Sequence, residues 1–368
     1  MKYFLIAGER SGDLHGAFLI KQLLNLQPEA ELRGYGGDQM AEQGMDLVAH
    51  YREISFMGFI EVVQNLQGIS RRLKECEREI LRFRPNVLIL IDFPGFNLRM
   101  ARFANSHQFK VAYYIAPKAW AWKESRANSI KKYVNRLYSI LPFEVDFFQR
   151  HDCPVHYVGN PVVEEIKQHV FTDLSINHFT DTKIAYLPGS RVQEVQTSIK
   201  MIIECARLRP DWHFLIAAVD NVDEIHYKPL EGLVNVQVFL GKTYEVLRAS
   251  DAAIVTSGTA TLETALLNIP QVVCYRTSKI SYWIARAVIK VRFISLVNLI
   301  LDDRVVQEFV QHEYTPEIVL KEVERIFEKD GYRQRMLNNY KKLNHQIGSY
   351  SASQKVAEDI TAWMKESD

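Results

Sequence analysis

Two doubly wound, Rossmann-like α/β domains facing each other across a cleft are expected from this sequence. Its 368 residues exceed what one compact core usually organises and suit two domains of ordinary size. Short apolar, β-branched runs recur along the chain and are continuous rather than alternating, the pattern of strands covered on both faces of a parallel sheet. Amphipathic stretches fall between them, and strand alternating with helix indicates βαβ units.

The runs of the first half are Tyr3–Ala7, Val87–Ile91, Val111–Ile115, Leu137–Leu141 and Val155–Val158. The second half repeats the scheme with Ile184–Leu187, Phe214–Val219, Val236–Leu240, Ala252–Val255 and Gln271–Tyr275. Asp13–Leu26 places Leu14, Phe18, Leu19, Leu23 and Leu26 at helical spacing. The seam is expected near Gly159-Asn160-Pro161, giving a first domain over 1–160 and a second over 161–340. A helical tail over 341–368 is expected to pack back on the first domain or on a partner subunit.

The charge count of 45 Lys+Arg against 44 Asp+Glu argues against nucleic acid as a partner. Cys76, Cys153, Cys205 and Cys274 are scattered, with no CxxC pair, and fit core thiols of a reduced compartment rather than a zinc site. Tyr3–Ile6 is too short for a signal-peptide core and charge follows at once, so a cytoplasmic protein is expected. No run of about 18 apolar residues suggests a membrane span.

Gly, Pro and polar residues cluster after the carboxyl ends of the strands, where open α/β sheets bind ligands. Gly8, Gly12 and Gly16 recur every four residues, matching neither the dinucleotide nor the Walker fingerprint. Glu9 and Asp13 at this helix start would repel a phosphate, so the loop either faces a sugar or is a tight turn whose acids complement the helix dipole. Asp92 ends the very apolar strand Val87–Ile91, where poor solvation raises a carboxyl toward the range of a general base. The alternative is a helix cap.

In the second half, Leu187-Pro188-Gly189-Ser190-Arg191 sets a phosphate-matching guanidinium directly after a turn. Ser257-Gly258-Thr259-Ala260 leaves the first helical N–H groups open to a diphosphate. Glu263 follows about 6 Å further along the axis, within reach of ribose hydroxyls. Ala260 stands where a capping box would need Ser or Thr. A glutamate that merely complements the helix dipole is the competing reading. Neither HExxH nor a strand-end Asp-x-Asp is present, so neither metal nor cofactor is expected.

Two stretches concern surfaces. Ile54–Leu73 carries Phe56, Met57, Phe59, Ile60, Val63 and Leu66, with Arg71, Arg72 and Lys74 at its basic end. Such a segment is either core or a contact with acyl chains and bilayer. Trp120 and Trp122 either stack on sugar or acyl groups or pack between helices.

In this order, the loops resemble those of the lipid-A-disaccharide synthase family. The motifs are Ala7–Asp13, Met57-Gly58, Ile91–Pro94, Phe96-Asn97, Tyr114–Pro117, Trp120–Trp122, Leu141–Glu144 and Val158-Gly159. They continue with Leu187–Arg191, Glu194, Ser257–Glu263, Pro270, Val272-Val273, Tyr275-Arg276 and Val297–Leu299. The resemblance implies a GT-B fold and transfer of 2,3-diacylglucosamine from its UDP derivative to 2,3-diacylglucosamine 1-phosphate. The product would be a β(1→6) disaccharide 1-phosphate with inversion at the anomeric carbon and release of UDP. Work at the cytoplasmic face of the inner membrane as a peripheral protein, without a metal, is implied as well.

The resemblance puts the general base on Asp92, a basic UDP contact on Arg191, and a functional asparagine on Asn298. Glu9 and Asp13 are the next catalytic candidates. UDP contacts are expected from Gly189, Ser190, Arg191, Ser257, Gly258, Thr259, Ala260, Glu263 and Asn298. The chain departs from the family's usual pattern at Gly95 and Asn160. A peptidoglycan glucosaminyltransferase, a UDP-N-acetylglucosamine 2-epimerase or a non-catalytic UDP-sugar sensor are the rival readings. A homodimer is the one protein partner considered.

Overall fold

The computed structural model describes residues 1–54, 66–176, 182–278, 282, 291–328 and 331–366. The chain separates into two compact units, Met1–Glu164 with Ser349–Asp368, and Glu165–Gly348. The first break thus falls within the helix Pro161–Gln168, and the second at Gly348, which ends the helix Tyr332–Ile347. Residues 341–347, expected in the tail, belong to the second unit.

The first unit is built on a seven-stranded parallel sheet. Its strands are β1 (Lys2–Ala7), β2 (Glu31–Gly36), β3 (Asp46–His50), β4 (Val87–Ile91), β5 (Lys110–Tyr114), β6 (Arg136–Ser139) and β7 (Val155–Tyr157). They run in the order β3-β2-β1-β4-β5-β6-β7. All five residues of β4 are fully buried, because alternate side chains feed opposite cores. Leu88 and Leu90 join one cluster with Ile80 and Met100; Val87, Ile89 and Ile91 join the other with Leu19, Leu23 and Ile360. Each such side chain stabilises the fold by roughly 1.5–3 kcal/mol, so a two-sided core explains the unbroken apolar run.

The helix Arg10–Leu26 follows β1, and its buried stripe differs from the expected one. Gly12, His15, Gly16, Leu19, Ile20 and Leu23 face inward, while Leu26 is exposed. The reason is close packing. A Cβ on Gly16 would lie 2.6 Å from Met40 Sδ and 3.1 Å from Ile91 Cδ1, so only glycine lets the helix lie this low.

The final helix, Ala352–Lys365, returns to this unit and buries Ala352, Val356, Ala357, Ile360 and Met364 beside β1 and β4. Its amino end is held by Glu164, which accepts from Ser353 Oγ at 2.6 Å and from the Ser353 N–H at 3.2 Å. Midway along it, the Tyr138 hydroxyl donates to Asp359 at 2.7 Å.

The second unit carries a six-stranded parallel sheet. Its strands are β8 (Lys183–Leu187), β9 (His213–Ala218), β10 (Val236–Leu240), β11 (Ala252–Thr256), β12 (Gln271–Tyr275) and β13 (Glu308–Val310). They run in the order β10-β9-β8-β11-β12-β13, so the strand order reverses between β8 and β11 as it does between β1 and β4. Ligands of doubly wound sheets bind outside the strand ends at such reversals.

Candidate functional site

In the first unit, the reversal brings the end of β1 against the end of β4. A Cβ on Gly8 would lie 2.2 Å from the Phe93 ring, so the two loops touch through a glycine that has no room for a side chain. Phe93 in turn stacks on Phe96, with ring centroids 5.7 Å apart. Asp92 and Phe93 both take the left-handed conformation, with φ of 43° and 48°. Ile115, just beyond β5, does the same at 64°. Such residues each cost roughly 1–3 kcal/mol and persist only where surrounding contacts impose them.

The contact that imposes this turn is made by Asn97, buried on the helix Pro94–Ser106. Its Nδ2 reaches the carbonyls of Asp92 at 2.8 Å, Ile91 at 3.2 Å and Ile6 at 3.3 Å. The Tyr113 hydroxyl donates to the same Asp92 carbonyl at 2.6 Å, and the Asp92 N–H donates to the Tyr114 carbonyl at 3.0 Å. With the backbone fixed by β4, β5 and the helix together, the half-buried Asp92 carboxyl has a fixed origin. Burial pushes its pKa up, while Lys118, the Phe93 N–H and Arg126 oppose the rise. A carboxylate so placed is a suitable general base. Sequence alone gives Asn97 no role beyond its place in the Phe96-Asn97 motif.

The other two acids of this region part company. Glu9 is exposed at the amino end of the helix Arg10–Leu26. Asp13 is placed otherwise than the catalytic expectation had it: only 2% exposed, it accepts from the N–H groups of Gly37 at 2.7 Å, Met40 at 3.1 Å and Gln39 at 3.2 Å. Its carboxylate caps the short helix Asp38–Glu42 and is a structural anchor. Trp120 likewise packs: its indole N–H donates to Glu144 at 2.9 Å, and its ring meets Phe143 edge-on. Glu144 also accepts from Ser139 Oγ at 2.7 Å and the Leu141 N–H at 3.3 Å; burial nevertheless pushes its pKa up to about 7.

The departures from the family pattern have simple settings. Gly95 is exposed, with open space where a side chain would stand. Asn160 is buried, donates to the Ile140 carbonyl at 3.1 Å, and accepts from the Val162 N–H at 3.0 Å.

In the second unit, Gly189 has φ of 99° and a Cβ there would lie 2.6 Å from Glu194 Oε2. That oxygen accepts from the N–H groups of Ser190 at 3.0 Å and Arg191 at 3.2 Å, closing a capping box at the start of the helix Val192–Leu208. The Arg191 side chain is 73% exposed, steadied by a 3.1 Å bond to Glu194 Oε1. Across the strand reversal lies Ser257, whose hydroxyl donates to the Ile294 carbonyl at 2.8 Å. A Cβ on Gly258 would meet nothing within 4 Å. Thr259 and Ala260 lead into the helix Ala260–Leu266, whose first turn carries Glu263. Burial, and secondly the neighbouring Glu165, push the Glu263 pKa up to about 8.

Asn298 is the second residue placed differently. It is fully buried, donates to the Val306 carbonyl at 2.8 Å and Glu308 at 2.9 Å, and accepts from the N–H groups of Val305 and Val306. Both side-chain polar atoms are thereby occupied. Asn298 holds the 295–306 turn together through these bonds.

Of the surface stretch, Phe56, Met57, Phe59, Ile60 and Val63 lie outside the described residues, as does the side chain of Leu66. Arg72 pairs with Glu53 at 2.8 Å and Glu75 at 3.0 Å, so it is neutralised locally. Arg71, 77% exposed, bonds Glu75 at 3.0 Å and borders a shallow depression with Lys74, Arg78, Leu81 and Phe103.

Two parallel sheets, each with its loops gathered at a strand reversal, define a protein of the GT-B class. Solved structures of that architecture include the glycosyltransferase of kitacinnamycin, with a TM-score of 0.69, 13% identity and 99% of both chains covered. The UDP-N-acetylglucosamine 2-epimerase of Neisseria meningitidis, solved with UDP-N-acetylglucosamine, gives 0.66 at 13% identity, over 98% of this chain and 100% of that one. The family follows from sequence: the lipid-A-disaccharide synthetase model matches residues 3–360, and the chain belongs to that family. The lipid-A-disaccharide synthase of Myxococcus xanthus is 37% identical over 98% of this chain and 96% of its own length. That of Geobacter sulfurreducens is 33% identical over 97% and 95%.

The contact between the two loops yields a test. Gly8→Ala is expected to displace Phe93 and the Asp92 turn, destabilising the protein by about 1–3 kcal/mol as overpacking does. Turnover should fall further than the loss of folded protein explains. Urea unfolding followed by assay on the folded fraction checks this; unchanged stability and turnover would contradict it.

Proposed function

We propose that this protein is an inverting glycosyltransferase that joins UDP-2,3-diacylglucosamine to 2,3-diacylglucosamine 1-phosphate, giving the lipid A disaccharide 1-phosphate and UDP. The observation that carries the chemistry is Asp92, a half-buried carboxyl on a backbone pinned from three sides. It takes the proton of the acceptor 6-hydroxyl as that oxygen attacks the anomeric carbon. The bond from that carbon to the UDP oxygen breaks in the same displacement, and the configuration inverts. A base so positioned contributes about 10²–10⁴-fold.

The second unit holds the donor in this reading. Arg191, exposed and fixed by Glu194, meets the charge that develops on the departing diphosphate. Gly258 leaves the backbone of the neighbouring loop open to the phosphates, and Glu263 receives the ribose hydroxyls. The Myxococcus xanthus and Geobacter sulfurreducens relatives are both named as disaccharide synthases, whereas the likeness to epimerases is one of fold. The rival activities therefore find no support of their own.

The acceptor and product carry acyl chains, which ties the reading to a membrane surface. No helix among the described residues is long and apolar enough to cross a bilayer. We propose peripheral attachment through the segment 54–73 and the basic edge at Arg71 and Lys74, where each cation near an anionic surface is worth about 1 kcal/mol.

The reading is tested by incubating the protein with both acylated substrates. The expected result is one UDP released per disaccharide, with a β linkage by NMR. Epimerisation of UDP-N-acetylglucosamine, or UDP binding with no product, would overturn it.

The donor site has a separate signature. Ribose hydroxyls that donate to Glu263 favour its ionised form, so UDP binding expels a proton and tightens as pH rises from about 7 to 9, through the raised pKa of the free protein. Glu263→Gln should weaken UDP by about 1–3 kcal/mol and flatten that dependence, read by calorimetry in two buffers. A pH profile equal in parent and variant would remove Glu263 from the site.

A further inference from the structure

We propose that Arg276 is a second cation of the donor's diphosphate subsite, placed opposite Arg191, an assignment that rests on the function proposed above. In sequence, Arg276 is only part of the Tyr275-Arg276 motif.

Arg276 follows β12, whose end is joined to the Ser257 loop: the Ser257 N–H donates to the Cys274 carbonyl at 2.9 Å. The side chain is exposed, yet its direction is fixed. Its Nε donates to the Gln311 carbonyl at 3.3 Å and its Nη2 to the same oxygen at 2.9 Å. Nη2 also donates to the Tyr314 carbonyl, and the guanidinium carbon lies 5.0 Å from the centre of the Tyr314 ring. Tyr314 is buried, and its hydroxyl meets that of Tyr186 on β8 at 2.5 Å. A residue braced against β8 thus holds the cation at the end of β12.

These bonds orient the guanidinium without neutralising it. Both partners are carbonyls, Nη1 makes no bond among the described residues, and no described carboxylate pairs with it. The neighbouring sequence supplies no counter-charge either, since no acidic residue occurs between Glu263 and Asp302. Arg191, by contrast, shares its charge with Glu194 at 3.1 Å. As the anomeric bond breaks, its electron pair passes to the phosphate oxygen of UDP, and one arginine already paired with a carboxylate offsets only part of that charge. The strand order β8-β11-β12 sets the two arginines on either side of the Gly258 loop. With about 4.8 Å between neighbouring strands, their strand ends stand about 10 Å apart. A diphosphate seated over Gly258, where a Cβ would meet nothing within 4 Å, is then gripped from both sides. The unbonded Nη1 edge of Arg276 offers phosphate oxygens a planar donor that a lysine could not reproduce.

Calorimetry with UDP and with uridine tests the assignment in the parent, Arg276→Gln, Arg276→Lys and Arg191→Ala. The ratio of the two affinities within each protein isolates the phosphates, because uridine reports the state of the rest of the site. The parent should prefer UDP, and Arg276→Gln should lower that preference about tenfold or more. Arg276→Lys, which keeps the charge and loses the fork, should fall between the two. A preference equal to the parent's in both variants overturns the assignment, and if Arg276→Gln does not fold, Arg276→Lys alone decides. UDP and uridine weakened in equal proportion mark Arg276 as a prop of the 311–314 turn and overturn it too. In either case a lowered UDP preference in Arg191→Ala leaves the proposed function standing. A parent that does not prefer UDP to uridine has no donor site of this kind, and the assignment falls with it.

Discussion

Both sheets are governed by one constraint, the reversal of strand order between β1 and β4 and again between β8 and β11. Right-handed crossovers that lead away from a central strand in both directions place helices on opposite faces. At the reversal, two strand ends then stand side by side without a connection passing over them. The loops there are not covered by a crossover, and these are the loops that carry Gly8, Asp92, Arg191 and Ser257. The apolar run of β4, buried on both faces, is the cost of the same topology, because helices must cover each side.

Releasing a loop does not by itself position a catalytic group. In the first unit, positioning comes from Gly8, which admits the Phe93 ring, and from the Asn97 amide, which gathers the ends of β1 and β4. The left-handed pair Asp92 and Phe93 is held by these contacts against its own strain. In the second unit, the equivalent work falls to Glu194, which fixes the turn at Gly189 and leaves the Arg191 guanidinium exposed. A carboxyl in one unit and a guanidinium in the other are each set by a neighbour three to five residues along the chain.

Most of this was legible in the sequence, and the failures share a cause. Continuous apolar runs marked β4, β8, β9, β11 and β12, because strands covered on both faces have little room for polar residues. Strands β2, β3 and β13 escaped notice: β2 reads Glu-Leu-Arg-Gly-Tyr-Gly, and its Gly34 is required because a Cβ would lie 1.9 Å from the Leu5 carbonyl oxygen. Polar residues in and after the loops looked alike as candidates, yet Asp13 and Asn298, each in the first turn of a helix, satisfy backbone groups. What separates them from Asp92 and Arg191 is the direction of the side chain, which local sequence does not encode.

The central claim is that Asp92 removes the proton from the acceptor. A base with a raised pKa must be ionised to act, so activity is lost as pH falls through that pKa and is full above it. The most direct measurement is the pH dependence of kcat/KM for the acceptor, in the parent and in Asp92→Asn. The account predicts an acid limb above the ordinary aspartate range in the parent. The variant should lose that limb, lose at least about a hundredfold in turnover, and keep its affinity for UDP. A variant that retains most of the parent's turnover, or the same acid limb, would contradict it.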